Sequence, residues 1–195
     1  LILNSKSDLN INEENISLML GSNSHIVLYP INKKKELNMV CIMRCKKYDP
    51  DNTKQLVQEI VLKQNPKLKK IFENQIKTWP LYFTPKILPS TNKKVFYIGD
   101  AFNGFLPTLA QGASQSIESA FEIFNLLKND KLDKDNKYFE LRSKRVKIIR
   151  RRSNFNFFVF HLSSLIMQKI RNLFLKFLVK RKFFVKSYLG KIYKN

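Results

Sequence analysis

Residues 95–127, VFYIGDAFNGFLPTLAQGASQSIESAFEIFNLL, hold the residue types with the most chemical potential. The apolar run KVFYIGD (94–100) reads as a buried strand that stops at Gly99-Asp100. After a loop, the spacing predicts a helix over 112–128, with Ala113, Ile117, Ala120, Ile123, Phe124 and Leu127 on one face. In open α/β sheets, ligands sit outside the carboxyl ends of strands and face helix N-termini. Gly112 lets a ligand approach the backbone. The unpaired N–H groups of residues 112–114 offer donors and a positive dipole end to an anionic group. Asp100 at the strand end can accept hydrogen bonds from sugar-like hydroxyls. The plain alternative is an ordinary strand–loop–helix in which Asp100 caps a turn.

These residues need elements to hold them. Residues 24–31 (SHIVLYPI) and 37–44 (LNMVCIMR) are β-rich runs joined by the polar loop NKKKE, which predicts two antiparallel strands. His25 and Tyr29, four apart on the first run, emerge on the same face; for His25 the plain alternative is a satisfied strand histidine. A helix is expected over 53–64 after a cap at Asp51 or Asn52, and a short one from Pro66. TWPLYFTPKILP, with its three prolines, suits extended structure. From about Lys137 onward the pattern is helical.

Composition sets the frame. The 195 residues are 44% hydrophobic and 12% aromatic, enough for a packed core and against wholesale disorder. The net charge is +21, and residues 136–195 carry most of it, with 17 Lys/Arg against Glu140 alone. Cys41 and Cys45 cannot make a disulfide scaffold; four apart on an expected strand, they read as buried thiols in a reducing compartment. The uncharged stretch at residues 153–168 is too short and polar for a membrane span. The start, LILNSKSDLNINEEN, has no basic region of the kind that opens a signal peptide, and begins with Leu, which leads to the expectation of a piece cut from something longer.

The pattern G-D-A-x-x-x-x-L-P-x-x-A-Q-G-A, followed by I-E-x-A and an apolar helix, resembles the second flavin-binding motif of the FAD-dependent aromatic-ring hydroxylases. The salicylate- and 3-hydroxybenzoate-hydroxylase branch is the nearest in look. GSNSHIVLYPINKKKELNMVCIMR is similar to the family's paired strands. YFELRSKRVKIIRRRSNFNFFVFHLSS with the late Tyr188-Leu189-Gly190 is similar to its C-terminal helices. Order and spacing agree from about residue 18 to 190.

The resemblance implies an α+β fold: an α/β flavin-domain remainder, part of an antiparallel substrate sheet and a helical C-terminal region. Residues 1–93 would belong to the substrate domain, 94–135 to the flavin domain, and 136–195 to basic helices. It implies FAD as cofactor, NAD(P)H as reductant, and O2 and a small aromatic substrate as partners, in a cytoplasmic enzyme. Gly99 and Asp100 would lie at the ribityl chain, Pro107 beside the isoalloxazine ring, and Gly112 and Ala113 at its N1/O2 edge, where the helix dipole would stabilise the negative charge of the reduced flavin. His25 and Tyr29 would bind a phenolic substrate and assist its deprotonation. Hydroxylation of a lipophilic quinone precursor is the related alternative.

The departures are specific. Asn103 stands where the family usually has His, Ser119 where an acidic residue follows Glu, and Thr84 where an Arg is often found. None of the five glycines forms a G-x-G-x-x-G, which grips the ADP half of FAD in that family. A C-terminal fragment is the expectation. For the basic tail, the first reading is a helix that docks the face from Ile166 to Leu178 on the body and leaves Lys169, Lys176 and Lys180 in solvent. A peripheral membrane contact through residues 157–185, at the inner face, also stays open. Nucleic-acid binding by RSKRVKIIRRR (142–152) is not favoured, because no nucleic-acid fold accompanies it.

Overall fold

The computed structural model describes residues 2–3, 15–34, 36–73, 76–84, 95–129, 131 and 137–193. They fall into two compact units, Leu1–Pro80 with Phe158–Lys180, and Leu81–Phe157 with Arg181–Asn195.

The first unit is built on a four-stranded antiparallel sheet. Strands β1 (Ile2–Leu3), β2 (Ser17–Leu20), β3 (Ser24–Ile31) and β4 (Glu36–Met43) run in the order β1-β4-β3-β2. The β3–β4 hairpin matches the two expected strands closely; Asn32 and Lys33 turn it in left-handed conformation, φ 48° and 54°. Its register, with His25 opposite Ile42 and Leu28 opposite Met39, sorts the side chains. Ile26, Leu28, Leu37 and Met39 bury one face against Val57 and Val61 of helix α1 (Pro50–Gln64) and Leu68 and Ile71 of a 3-10 helix (Pro66–Glu73). Helix α1 starts earlier than expected because the Asp49 carboxylate accepts from the Asp51 N–H and Pro50 fills the first turn, so the cap is neither Asp51 nor Asn52. The expectation that both cysteines are buried thiols is corrected for Cys45. Strand β4 ends at Met43, which leaves Cys45 exposed, while burial pushes the partly covered Cys41 thiol up to about 12.

The second unit holds helices α2 (Gly99–Asn103), α3 (Gly112–Lys128), most of α4 (Lys137–Phe160) and α6 (Lys182–Tyr193). α5 (Leu165–Leu178) belongs to the first unit. The core of the second unit is aromatic: Phe102, Leu126, Tyr138 and Val146 are buried, with Phe96, Phe105, Ile123 and Phe139 packed on them. Two sequence expectations fail here. Residues 95–98 form no strand, and Val95, Tyr97 and Ile98 are exposed; Lys94 lies outside the described residues. Ile98 keeps extended backbone (φ −126°, ψ 161°), but a strand needs a neighbour to complete its ladder, and every described strand lies in the first unit. The helix over 112–128 is present as expected, yet Ile117, Phe121, Phe124 and Leu127 point outward while Gln115, Ser119 and Leu126 are buried. The remaining expectations for 85–89 lie outside the described residues.

Candidate functional site

The Gly99–Gly112 segment is held from three directions. Gly99 has φ +55°, and a Cβ there would come within 2.5 Å of the Ser116 Oγ, so only glycine lets α2 sit this close to α3. Phe102 then anchors α2 by edge-to-face contacts to Tyr138 (5.8 Å) and Phe139 (6.0 Å), and the Tyr138 hydroxyl donates to the Tyr97 carbonyl at 2.8 Å. The loop after α2 is pinned to α4: the Thr108 hydroxyl donates to the Ser153 carbonyl at 2.8 Å, the Ser153 hydroxyl donates to the Leu106 carbonyl, and the Asn156 amide donates to the Thr108 carbonyl at 3.4 Å. Ala110, just before α3, is held at φ 51°, a strained value for a residue with a Cβ.

This scaffold brings Asp100 to the start of α3. A Cβ on Gly112 would lie 4.0 Å from the Asp100 Oδ1 and within 4 Å of nothing else, so the glycine leaves an open cradle beside a carboxylate. Asp100, Pro107 and Ala113 are exposed, and Gly99 and Gly112 are half-buried. No side chain caps the N-terminus of α3, so its first N–H groups stay available to an anionic or carbonyl-bearing ligand. One further group fits a missing partner: Asn103 is 1% exposed, and neither its amide nitrogen nor its amide oxygen has a hydrogen-bond partner.

The body of α3 is locked to α4 by charge. The buried Arg142 donates to the Glu118 Oε2 at 3.1 Å and to the Gln115 Oε1 at 2.7 Å, and Arg145 grips Glu118 with two bonds at 3.1 and 3.2 Å. Burial pushes the Glu118 carboxyl up, but the hydrogen bonds from Arg145 and Arg142 outweigh it and hold it below the usual carboxylate range. Arg150 donates to the Thr84 carbonyl, whose residue also pairs with Gly104, and Arg152 donates to the Tyr188 carbonyl and lies over its ring. Four arginines of the cationic run at 142–152 are therefore spent inside the fold, which weakens it as a nucleic-acid contact.

In the first unit, His25 and Tyr29 do share a face of β3, the one opposite the apolar core, with Ile42, Val40 and Asn38 beside them. His25 is 1% exposed. Its Nδ1 lies 3.1 Å from the Nε2 of His161, which is also 3.3 Å from the Ile42 carbonyl, and Phe160 stands edge-on to the ring at 5.3 Å. Burial, and secondarily the charge of His161, lower the His25 pKa from 6.5 to about 4, so its imidazole is neutral near pH 7. Tyr29 is only half-buried. His161 escaped the sequence reading; its one signal was being the second of two histidines in the chain.

This geometry has relatives. Over 98% of its length the chain superposes on 52% of the R204Q variant of HpxO from Klebsiella pneumoniae, solved with FAD, with a TM-score of 0.74 and 11% identity. HpxO from the same organism with FAD and uric acid gives 0.69 at 13% identity, covering 90% of this chain and 47% of that one. A salicylate hydroxylase substrate complex gives 0.62 at 18%, over 93% and 49%. The chain shares the fold of these proteins. Among curated proteins, the 3-amino-4-hydroxybenzoate 2-monooxygenase PtmB3 of Streptomyces platensis is 26% identical over 163 residues, 78% of this chain and 41% of the relative. No family model matches the chain. The chain thus spans about half the length of the solved structures that share its fold and 41% of the curated relative, with an α+β character as expected from the sequence.

Proposed function

We propose that this chain is the C-terminal portion of an FAD-dependent monooxygenase that hydroxylates a small aromatic substrate, salicylate- or hydroxybenzoate-like, with NAD(P)H as reductant and O2 as co-substrate. In this reading residues 1–93 supply the substrate side, 94–135 the flavin side and 136–195 the basic helices, in a cytoplasmic protein with a peripheral membrane contact within residues 157–185. The observation that carries it is the Asp100 carboxylate set beside the open Gly112 cradle at the uncapped start of α3.

The residues present fit such a cofactor. Gly99 and Asp100 would hold its ribityl hydroxyls, Pro107 would flank its ring, and the N–H groups at Gly112 and Ala113 would face its polar edge, where the dipole of α3 favours negative charge. When bound, the flavin would supply the redox chemistry that carries electrons from the nicotinamide to oxygen. The chain's own tasks are to bind, orient and exclude water. Tyr29 is the more open of the two substrate-face candidates; His25, buried and held neutral against His161, would support that face by position and not as a base. Hydroxylation of a lipophilic quinone precursor is a second reading, favoured by the outward apolar side of α5.

The test is flavin content of the natural polypeptide after purification. Charge-assisted hydrogen bonds to hydroxyls contribute about 1.5–3 kcal/mol each, so Asp100→Ala weakens FAD retention by roughly ten- to hundredfold. The apo-protein melts at an unchanged temperature, because Asp100 is exposed. Full FAD affinity in Asp100→Ala sinks the assignment. Tyr29→Phe is expected to slow hydroxylation with flavin retained; wild-type turnover there removes Tyr29 from the substrate face.

A further inference from the structure

The docking expected for the apolar side of α5 is contradicted, while Lys169, Lys176 and Lys180 lie in solvent as expected. Ile166, Ile170, Leu173, Phe174 and Phe177 share one side at helical spacing, and each is more than half exposed, Leu173 at 74%. The side turned to the protein carries Arg171, 5% exposed. Its guanidinium donates to the Val159 and Phe160 carbonyls at 3.3 and 3.2 Å, to the Leu20 carbonyl of β2 at 3.3 Å, and to the Asn172 Oδ1 at 3.0 Å. Val159 and Phe160 end α4, where carbonyls without helical partners make the negative dipole end and favour a cation. Rolling α5 to bury its apolar side would strand these carbonyls and the guanidinium. The apolar side faces outward because the arginine holds it there.

Charge says what that side meets. Lys169 and Lys176 run along one margin of the apolar row, Lys180 follows in the next turn, and the chain contains no Asp or Glu after Glu140. α3 also turns an apolar row outward, but Glu122 sits among those residues, and that face selects no charge.

We infer that α5 lies flat on an anionic phospholipid surface. Ile166, Ile170, Leu173, Phe174 and Phe177 enter the acyl boundary, and the lysines sit at the level of the phosphates. The contact is interfacial: no helix among the described residues is long and apolar enough to cross a membrane. A nucleic acid would satisfy the lysines and leave the apolar row in water. The inference rests on and deepens the membrane contact proposed above for residues 157–185, and it is independent of the flavin reading, since neither Asp100 nor Gly112 takes part in it.

The experiment is co-flotation of the complete natural polypeptide with vesicles of phosphatidylcholine alone or mixed with phosphatidylglycerol. Flotation is expected with the mixed vesicles, rising with phosphatidylglycerol content and falling as salt screens the lysines. Phe174→Ser with Phe177→Ser lowers partitioning by more than about tenfold. Lys169→Gln with Lys176→Gln lowers it by roughly tenfold or more. All four residues are exposed, so circular dichroism and melting stay as in the wild type. Should the phenylalanine pair disturb folding, the lysine pair decides. Absence of flotation overturns the inference, as does flotation that both pairs leave unchanged or that is equal on phosphatidylcholine. A soluble dimer lost in the phenylalanine pair, or binding to duplex DNA in preference to vesicles, overturns it too.

Discussion

His25 shows how one residue can carry two readings that predict different measurements. Its buried imidazole has a pKa of about 4 against 6.5 in the ordinary state, so between those values the unfolded chain takes up a proton that the folded chain refuses. Stability therefore falls as pH drops from 6.5 toward 4, by up to about 3 kcal/mol, and is fully present above 6.5. Urea midpoints measured across that window are expected to decline in the wild type and to flatten in His25→Gln. A wild-type midpoint that stays level from pH 7 to 4 refutes the burial argument. Gly99 offers a second test of this kind. A side chain at φ +55° is strained, and its Cβ would run into the Ser116 Oγ. Gly99→Ala is expected to cost about 1–2 kcal/mol, read as a lower melting temperature, and Ser116→Ala in the same chain should recover the share due to the close contact.

Among the elements, the joint between α3 and α4 is decided by Glu118. Arg142 is 5% exposed, and removing its carboxylate partner leaves a charge in the interior held only by Gln115. Glu118→Ala is expected to destabilise the second unit by about 1–2 kcal/mol, less than a fully buried pair would cost because Glu118 keeps some solvent contact. The sign with pH is opposite to a raised group: the Glu118 contribution is present above its ordinary value of 4.5 and is lost as pH falls through the depressed folded value. Hydrogen exchange in α3 should accelerate in the variant before exchange in α1 changes. Equal acceleration in both helices would refute a local role. The same logic explains α5, where one arginine sets the roll of the whole helix.

For the whole molecule, net charge and exposed apolar area pull in opposite directions. A charge of +21 keeps copies apart at low ionic strength, while the row of Ile117, Phe121, Phe124 and Leu127 on α3 favours association once that repulsion is screened. The isolated 195-residue chain is therefore expected to self-associate more as salt rises, by analytical ultracentrifugation, and Phe121→Ser with Phe124→Ser should suppress it. Association that weakens with salt would place its source in charge pairing instead. Vesicle binding through α5 runs the other way with salt, so the two surfaces are separable in one titration.

The sequence by itself determined the elements whose signal is local. Alternation in SHIVLYPI and LNMVCIMR settles the hairpin, and helical spacing settles 112–128 and the tail, because these patterns depend only on near neighbours. The pairing of Asp100 with Gly112 was legible too, through a motif that couples residues twelve apart. What only the tertiary structure decided is which way each face turns. Periodicity marks an apolar side but not what covers it, and in α3 and α5 the inward side was chosen by Glu118, Arg142 and Arg171, whose partners lie on other elements. The run at 95–98 has strand composition without a strand, since a ladder needs a second chain segment. His161 met His25 across 136 positions for the same reason: desolvation and long-range hydrogen bonds exist only once the chain has folded.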